Sequence, residues 1–185
     1  MTRLFSHSLA CLCAFAAVAI ACGQPGATPI NSNPDCADFA GTPLPIRQLE
    51  IVDGERRLVA QVEVADSDAE RARGLMCRMR LEAGTGMAFS WDGPVSGGFW
   101  MYNTYVPLDL LHVTGDGSVV AFRSMKPCPR GPEEDQQAWR NRCIEESRPF
   151  APDAIYELAV ELPAGWLGAS GFDPATSARW SVSLK

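Results

Sequence analysis

Apolar and polar residues alternate along several short stretches of this chain, which is the pattern of half-buried β-strands. Two such stretches, Ile46–Val52 and Leu58–Val64, flank Asp53-Gly54, a dipeptide typical of tight hairpin turns. A second hairpin is predicted where Leu108–Val113 and Ser118–Phe122 flank four turn-forming residues. The remaining predicted strands are Gly86–Trp91, Gly98–Asn103, Ile155–Leu162 and Trp180–Leu184.

Signals for helices are few. Ser67 and Glu70 form a capping box, because each side chain can bond to the backbone amide of the other residue, and a short helix is predicted from there to about Arg73. A second helix is predicted to begin at Pro132 and to reach about Cys143. Many short strands and few helices predict a mainly β fold, a single compact antiparallel β-sandwich or barrel-like domain with one or two short helices, over residues 44–185.

The N-terminus has the layout of a secretory signal. Arg3 precedes the apolar run Leu9–Ala21, which is shorter than the roughly 20 residues that a membrane-spanning helix needs. A buried helix of the mature fold is disfavoured, because polar, proline-rich sequence follows at once. Residues 1–21 are therefore predicted to be a signal peptide, and the chain is predicted to be exported.

Ala19-Ile20-Ala21-Cys22 resembles a bacterial lipoprotein box, in which the cysteine becomes lipid-modified. The same residues also fit ordinary signal cleavage, which would leave a soluble periplasmic or secreted protein. We favour a lipid anchor at Cys22, because a cysteine stands where the box requires one and a polar segment, predicted as a flexible tether over 22–43, follows it. Gly23 rather than Asp after this cysteine favours the outer membrane. The expected partner is thus a membrane, reached through the lipidated N-terminus.

Seven cysteines are present, and three of them lie in the signal peptide or at its lipidation site. The other four are an even number in an oxidising compartment, which favours two disulfides with three alternative connectivities. We favour Cys128–Cys143, which would staple a long insertion at Lys126–Pro152, together with Cys36–Cys77. A four-cysteine zinc site is disfavoured, because no two cysteines have the Cys-x-x-Cys spacing.

Acidic residues outnumber basic ones, 22 against 16, and the formal net charge is -6. Loss of residues 1–21 would remove Arg3 alone among the charged residues and make the balance still more acidic. Binding to nucleic acid needs clustered Lys and Arg that displace counterions from phosphates. Nucleic acid is therefore not an expected partner.

Polar side chains interrupt the apolar stretch Gly98–Val113, around which the predicted strands are arranged. Amide and carboxylate groups beside an aromatic face suit a pocket for sugars or other polyhydroxylated ligands. Alternatively, these groups bond to the backbone of the Tyr105–Pro107 corner, and we favour this structural role because short polar side chains at turns most often satisfy the main chain. The candidate pocket residues are Trp100, Asn103, Thr104 and Asp109.

Several short motifs spread over residues 58–184 occur together. They are Gly74-Leu75-Met76 with Arg78, Leu81, Gly86-Met87 with Phe89, Phe99-Trp100-Met101 with Asn103-Thr104, Pro107-Leu108-Asp109, and Leu158 with Ala164-Gly165. This set resembles the bacterial and archaeal family known as domain of unknown function 192. The resemblance implies a compact, mainly β, commonly exported domain, and it implies no established activity. Cys77, where a bulky residue is usual, and the long insertion depart from the family's pattern.

Motifs for catalysis and metal binding are weak. His112 is the only histidine after residue 21, and no Ser-His-Asp or Cys-His set can be assembled with a supporting spacing. Thioethers bind Cu(I) in exported proteins, but the methionines are scattered and also suit a flexible core. No cofactor is expected. The methionines in question are Met76, Met79, Met87, Met101 and Met125.

The sequence thus favours a non-catalytic binding or accessory module of the cell envelope, with no assigned biochemical activity. One alternative is an envelope enzyme that uses Asp109 as acid or base on a polyhydroxylated substrate, with Asn103 orienting a water or a substrate hydroxyl. The other alternative is copper binding through methionine.

Overall fold

The computed structural model describes residues 31–37, 39 and 43–185. The predicted signal peptide, the lipidation site Cys22 and much of the predicted tether lie outside these residues. Within them, no helix is both long enough and apolar enough to span a bilayer. The strands are β1 (Ile46–Asp53), β2 (Arg56–Ala65), β3 (Thr85–Val95), β4 (Leu108–Val113), β5 (Val119–Met125), β6 (Tyr156–Pro163) and β7 (Ser181–Leu184), and the helices are α1 (Asp68–Arg73), α2 (Gln136–Ser147) and α3 (Trp166–Ala169).

The seven described strands form one sheet in the order β5-β4-β6-β3-β2-β1-β7. Neighbouring strands are antiparallel except β2 and β3, which are parallel. Near the start of β5, Ser118 forms a bridge with Ser181 of β7, and the Val182 amide donates to the Gly117 carbonyl at 2.8 Å. The two ends of the sheet therefore approach each other, and the sheet curls into a half-barrel. The predicted mainly β fold is confirmed, in its barrel-like form.

Both faces of the central strands are covered by apolar groups. Leu111 and Val113 of β4 belong to a first core, which also contains Trp180, whereas Leu108 and Leu110 of the same strand belong to a second core on the opposite face. All six residues of β4 are consequently buried. The second core also includes side chains from the 96–107 connection and from α2.

The local turn and cap signals are found as predicted. Asp53 pairs with Arg56 across the first hairpin, and Gly54 in its turn has φ +62°, a conformation that glycine adopts without strain. Ser67 and Glu70 form the full capping box at the start of α1. The second predicted hairpin is present as β4 and β5.

The strand predicted at Gly98–Asn103 is wrong. In the sheet, β6 lies between β3 and β4, so the connection from β3 to β4 has no neighbouring strand to pair with and forms a single bridge, between Tyr102 and Cys128. Its other backbone groups bond elsewhere: the Met101 amide donates to Ser147 Oγ at 3.3 Å, and the Asn103 carbonyl accepts from the Cys77 amide at 2.8 Å.

The helix predicted from Pro132 is present, but it begins later, at Gln136. Asp135 is its N-cap, because the carboxylate accepts from the Ala138 amide at 2.8 Å. The Glu134 carboxylate is bonded instead by the Gly131 amide and by Arg142, which holds the preceding residues outside the helix.

Two disulfides fasten the peripheral segments to the sheet, in the pairing that the sequence favours. Cys128 and Cys143, with Cα atoms 6.0 Å apart, join the chain after β5 to α2. Cys36 and Cys77, with Cα atoms 5.7 Å apart, join the N-terminal segment to the chain after α1. The Asn31 amide also donates to the Cys77 carbonyl at 2.8 Å. Residues 31–37 of the predicted tether are thus attached to the body.

Candidate functional site

Asp109, the predicted acid or base, forms hydrogen bonds within the chain through both carboxylate oxygens. Its Oδ2 accepts from the Gly165 amide at 2.8 Å, and its Oδ1 accepts from the hydroxyl of Ser124, its cross-strand neighbour on β5, at 2.6 Å. The residue is 2% exposed. The carboxylate therefore ties the β4–β5 pair to the turn before α3. Its role is structural, but its partners are not the backbone of the Tyr105–Pro107 corner, where the sequence placed them.

Asn103 also holds the chain together. Its φ is +53°, a left-handed conformation that asparagine tolerates better than most residues. Its Nδ2 donates to the Asp35 carbonyl at 3.0 Å and lies 3.1 Å from Cys77 Sγ, while its backbone carbonyl accepts from the Cys77 amide. Asn103 thus docks the N-terminal segment and its disulfide, and it lies apart from the contacts of Asp109.

Trp100 and Thr104, the other two predicted pocket residues, line a small recess in the surface of the second core. The Trp100 ring stacks on Tyr102, with centroids 5.0 Å apart, and the Arg140 guanidinium lies 5.0 Å from the Trp100 centroid. These two contacts fix the indole at the rim. The structure therefore brings two of the four predicted residues to one recess, and the other two do not line it.

The recess has a volume of about 30 Å³ and opens to solvent between α1 and the 96–107 connection. Its walls are the chain segment 71–76, the rings of Phe89, Phe99 and Trp100, and Thr104. Glu161 provides a carboxylate among these walls. A space of this size holds about two water molecules or one small polar group.

Glu161 is the residue that the sequence analysis missed. It lies on β6 between Met87 of β3 and Leu110 of β4, and it is 4% exposed. Within the described residues, no hydrogen bond reaches its carboxylate. Burial raises the pKa of Glu161 to about 8, and the charge of nearby Arg78 opposes this rise. One signal in the sequence could have identified it. Glu161 interrupts the otherwise apolar run 159–162, and such a run predicts a strand covered on both faces, where an acidic residue would be buried.

His112 is fully buried on the same face of the sheet. Its ring lies 4.6 Å from the Tyr156 ring and 5.7 Å from the Phe99 ring, centroid to centroid. Neither ring nitrogen has a hydrogen-bond partner in the described chain. Burial, followed by the positive charge of Arg123, lowers the pKa of His112 to about 4, so the imidazole is neutral at physiological pH. Asp109 is three residues away on β4 and faces the other side of the sheet, which separates it from this ring.

A larger cleft of about 570 Å³ lies between the chain after β5 and α2. Lys126, Arg142 and Glu146 are its charged residues. Arg142 already bonds to both oxygens of Glu134 and to Glu146. The cleft is more spacious than the Glu161 recess. Its arginine and glutamate, however, bond to each other and to Glu134 within the insertion.

The methionines considered as copper ligands have different environments. Met87, Met101 and Met125 are buried in the second core, where their thioethers fill apolar space. Met79 is 52% exposed, and Met76 lines the recess. Among the described residues, the five methionines thus lie in different surroundings, which fits a role in packing better than a shared metal site.

Comparison with known proteins gives a family and a fold. The family model DUF192, described as an uncharacterized ACR family, matches residues 50–180. No curated protein matches the chain. One similar solved structure is a "putative transcription regulator" from Sinorhizobium meliloti 1021, with 21% identity, a TM-score of 0.58, and coverage of 78% of this chain and 97% of the other.

A second similar structure is a protein of unknown function from Novosphingobium aromaticivorans DSM 12444, with 24% identity, a TM-score of 0.58, and coverage of 79% of this chain and 94% of the other. At these identities the two structures show a shared fold. The family match covers most of the β domain and includes every strand that borders the recess. The chain belongs to the DUF192 family.

Proposed function

We propose that this chain is an exported, lipid-anchored cell-envelope protein whose β domain is a non-catalytic binding module. The observation that carries the binding role is the Glu161 recess, a small open hollow with a buried carboxylate that no group in the described residues bonds. In these apolar surroundings a hydrogen bond or ion pair to the carboxyl is stronger than it would be in water, so a ligand that bonds to it gains affinity. The enzyme alternative gains no support, because both oxygens of Asp109 are already bonded within the chain.

Export is supported by the two disulfides together with the signal-like N-terminus. Disulfides form and persist in oxidising compartments and are rare in the cytosol. All four disulfide cysteines are buried, so both bonds are shielded by the fold. The lipid anchor rests on the sequence around Cys22.

Replacement of Cys22 by Ser is expected to abolish membrane attachment. In cells that process lipoproteins, the wild-type chain should begin at an acylated Cys22 and partition into detergent, because several acyl chains bury many methylene groups. Cys22→Ser should stay in the aqueous phase. The measurements are mass spectrometry of the mature N-terminus and detergent phase separation.

Cys13→Ser is the matched control, since it changes a cysteine within the predicted signal and should leave attachment intact. An unmodified N-terminus in the wild-type chain, with aqueous partition, would show ordinary signal cleavage instead.

The recess is expected to bind at least one class of small polar probe. A soluble mature chain, carrying Cys22→Ser, would be titrated with amines, carboxylates, amides and cell-wall sugars, and chemical shifts would be followed by NMR. The expected result is a shift of the Trp100 indole and of the Gly74 and Thr104 amides, because these groups line the recess.

Two alanines of α1 provide a matched pair of variants. Ala72 lines the recess and is exposed, so Ala72→Phe should cover the opening and suppress binding. Ala69 is exposed on the same helix but does not line the recess, so Ala69→Phe should leave binding unchanged. If no probe class shifts the recess resonances of the wild-type chain, the binding role is refuted.

A further inference from the structure

We propose that the Glu161 recess binds the primary ammonium group of a small organic amine. This inference rests on the proposed binding role and names the ligand class of the same site. It follows from the charges around Glu161, from the size of the recess and from its aromatic walls.

When Glu161 is ionised, it shares its one counter-charge, Arg78, with a second carboxylate. Arg78 is the only cation that acts electrostatically on Glu161 within the described chain, and its guanidinium forms a two-point ion pair with Glu63, including a 2.7 Å bond from Nη2 to Oε2. Two carboxylates thus share one guanidinium. A ligand with a single positive charge would balance this set.

Two arginines, Arg71 and Arg73, line the recess, and Arg71 is already engaged. Arg71 donates through Nη1 to the Ser90 carbonyl at 2.7 Å and through Nη2 to Asp68 at 2.6 Å, and its guanidinium lies 5.2 Å from the Trp91 centroid. Turning this side chain toward Glu161 would break these contacts. Neither arginine of the recess acts electrostatically on Glu161 in this arrangement, so the cation that pairs with Glu161 is expected to come from outside the chain.

The dimensions and the walls of the recess favour a small ammonium group. About 30 Å³ admits an ammonium with one or two carbon atoms, and the rest of a larger amine would lie outside, over α1. The rings of Phe89 and Phe99 are apolar walls, and an apolar surrounding strengthens the attraction between opposite charges. Aromatic rings also attract cations themselves.

Binding of an ammonium group would be coupled to release of a proton. The ligand pairs with ionised Glu161, and the proton of the neutral acid leaves to solvent. Because burial raises the pKa of Glu161 to about 8, affinity should rise with pH up to that value, by at most about tenfold per pH unit. A neutral ligand that accepts a hydrogen bond from the protonated acid would show the opposite dependence.

The test is a titration of the soluble mature chain with methylammonium chloride at pH 6.5 and pH 8.5, at constant ionic strength set by sodium chloride. Amines of this kind stay protonated over this range. Shifts of the Trp100 indole and the Thr104 amide would report binding. The expected result is an affinity at least tenfold higher at pH 8.5.

Glu161→Gln should lower the affinity for methylammonium at pH 8.5 by at least tenfold. Glu157→Gln, the same change on the same strand at a partly exposed site, should leave it unchanged. Acetamide and acetate, the neutral and anionic probes, should bind more weakly than methylammonium.

Tighter binding of acetamide or acetate, or binding of methylammonium that does not depend on Glu161, would overturn the ammonium assignment and leave the binding role standing. Failure of all three probes, and of the wider set above, would refute both.

Discussion

Removal of the Cys36–Cys77 disulfide is expected to lower the free energy of unfolding by about 4 kcal/mol. The two residues are 41 apart in sequence, and in the chain-entropy model the released loop increases the freedom of the unfolded chain by about this amount. Both positions are buried, so the double change Cys36→Ala and Cys77→Ala removes the bond without burying a new polar group. Urea unfolding followed by tryptophan fluorescence would measure the loss.

The second disulfide provides the control. Cys128 and Cys143 are 15 apart, so their replacement by alanine should cost about 3 kcal/mol, somewhat less than the first pair. A loss of under about 1 kcal/mol for Cys36 and Cys77 would contradict the prediction. Such a small loss would mean that this disulfide restricts the unfolded chain little, or that other contacts of the N-terminal segment compensate for its removal.

Glu161→Gln is expected to stabilise the protein at pH 9 by on the order of 4 kcal/mol and to leave it nearly unchanged at pH 4. The pKa of this carboxyl rises from 4.5 to about 8 on folding, so the folded state holds a proton that the unfolded state releases. The stability that this group contributes is fully present below pH 4.5. It falls by about 1.4 kcal/mol per pH unit between pH 4.5 and 8, and it is lost above pH 8. Glutamine has a similar shape and does not titrate.

The measurement is urea unfolding of both proteins at pH 4, 6.5 and 9. His112 also titrates: its folded pKa is lowered to about 4, so its contribution is present above pH 6.5 and is lost as the pH falls toward 4. This change occurs in both proteins and cancels in their difference. Glu157→Gln is the control for a change of surface charge. A difference that is flat with pH would show that Arg78 keeps Glu161 ionised in the folded state.

The sequence predicts features that depend on neighbouring residues and misses those that depend on distant ones. The hairpin at Gly54 and the cap at Ser67 form from residues a few positions apart, and both are found. The partners of the predicted pocket residues are remote: Asn103 bonds to a carbonyl 68 residues away, and Asp109 bonds to an amide 56 residues away. Such contacts follow from the tertiary arrangement of the strands and the N-terminal segment, which no local pattern encodes.

The position of β6 accounts for two further differences. Because β6 is inserted between β3 and β4, the predicted strand Gly98–Asn103 has no place in the sheet. The same central position covers both faces of β6 and buries Glu161, although strand alternation alone would assign this residue to the more polar face. Of the four candidate pocket residues, Trp100 and Thr104 line the recess, and the sequence did not single out its carboxyl residue, Glu161.

The attachment of the N-terminal segment sets how far the domain can stand from a membrane. With a lipid on Cys22, the covalent link at Cys36 leaves 13 residues between the two cysteines, a span of at most about 50 Å. A connection free to residue 43 would allow about 70 Å. The disulfide thus shortens the maximum distance between the domain and the membrane. Under reducing conditions this distance would increase, and the domain would reach parts of the envelope farther from its anchor.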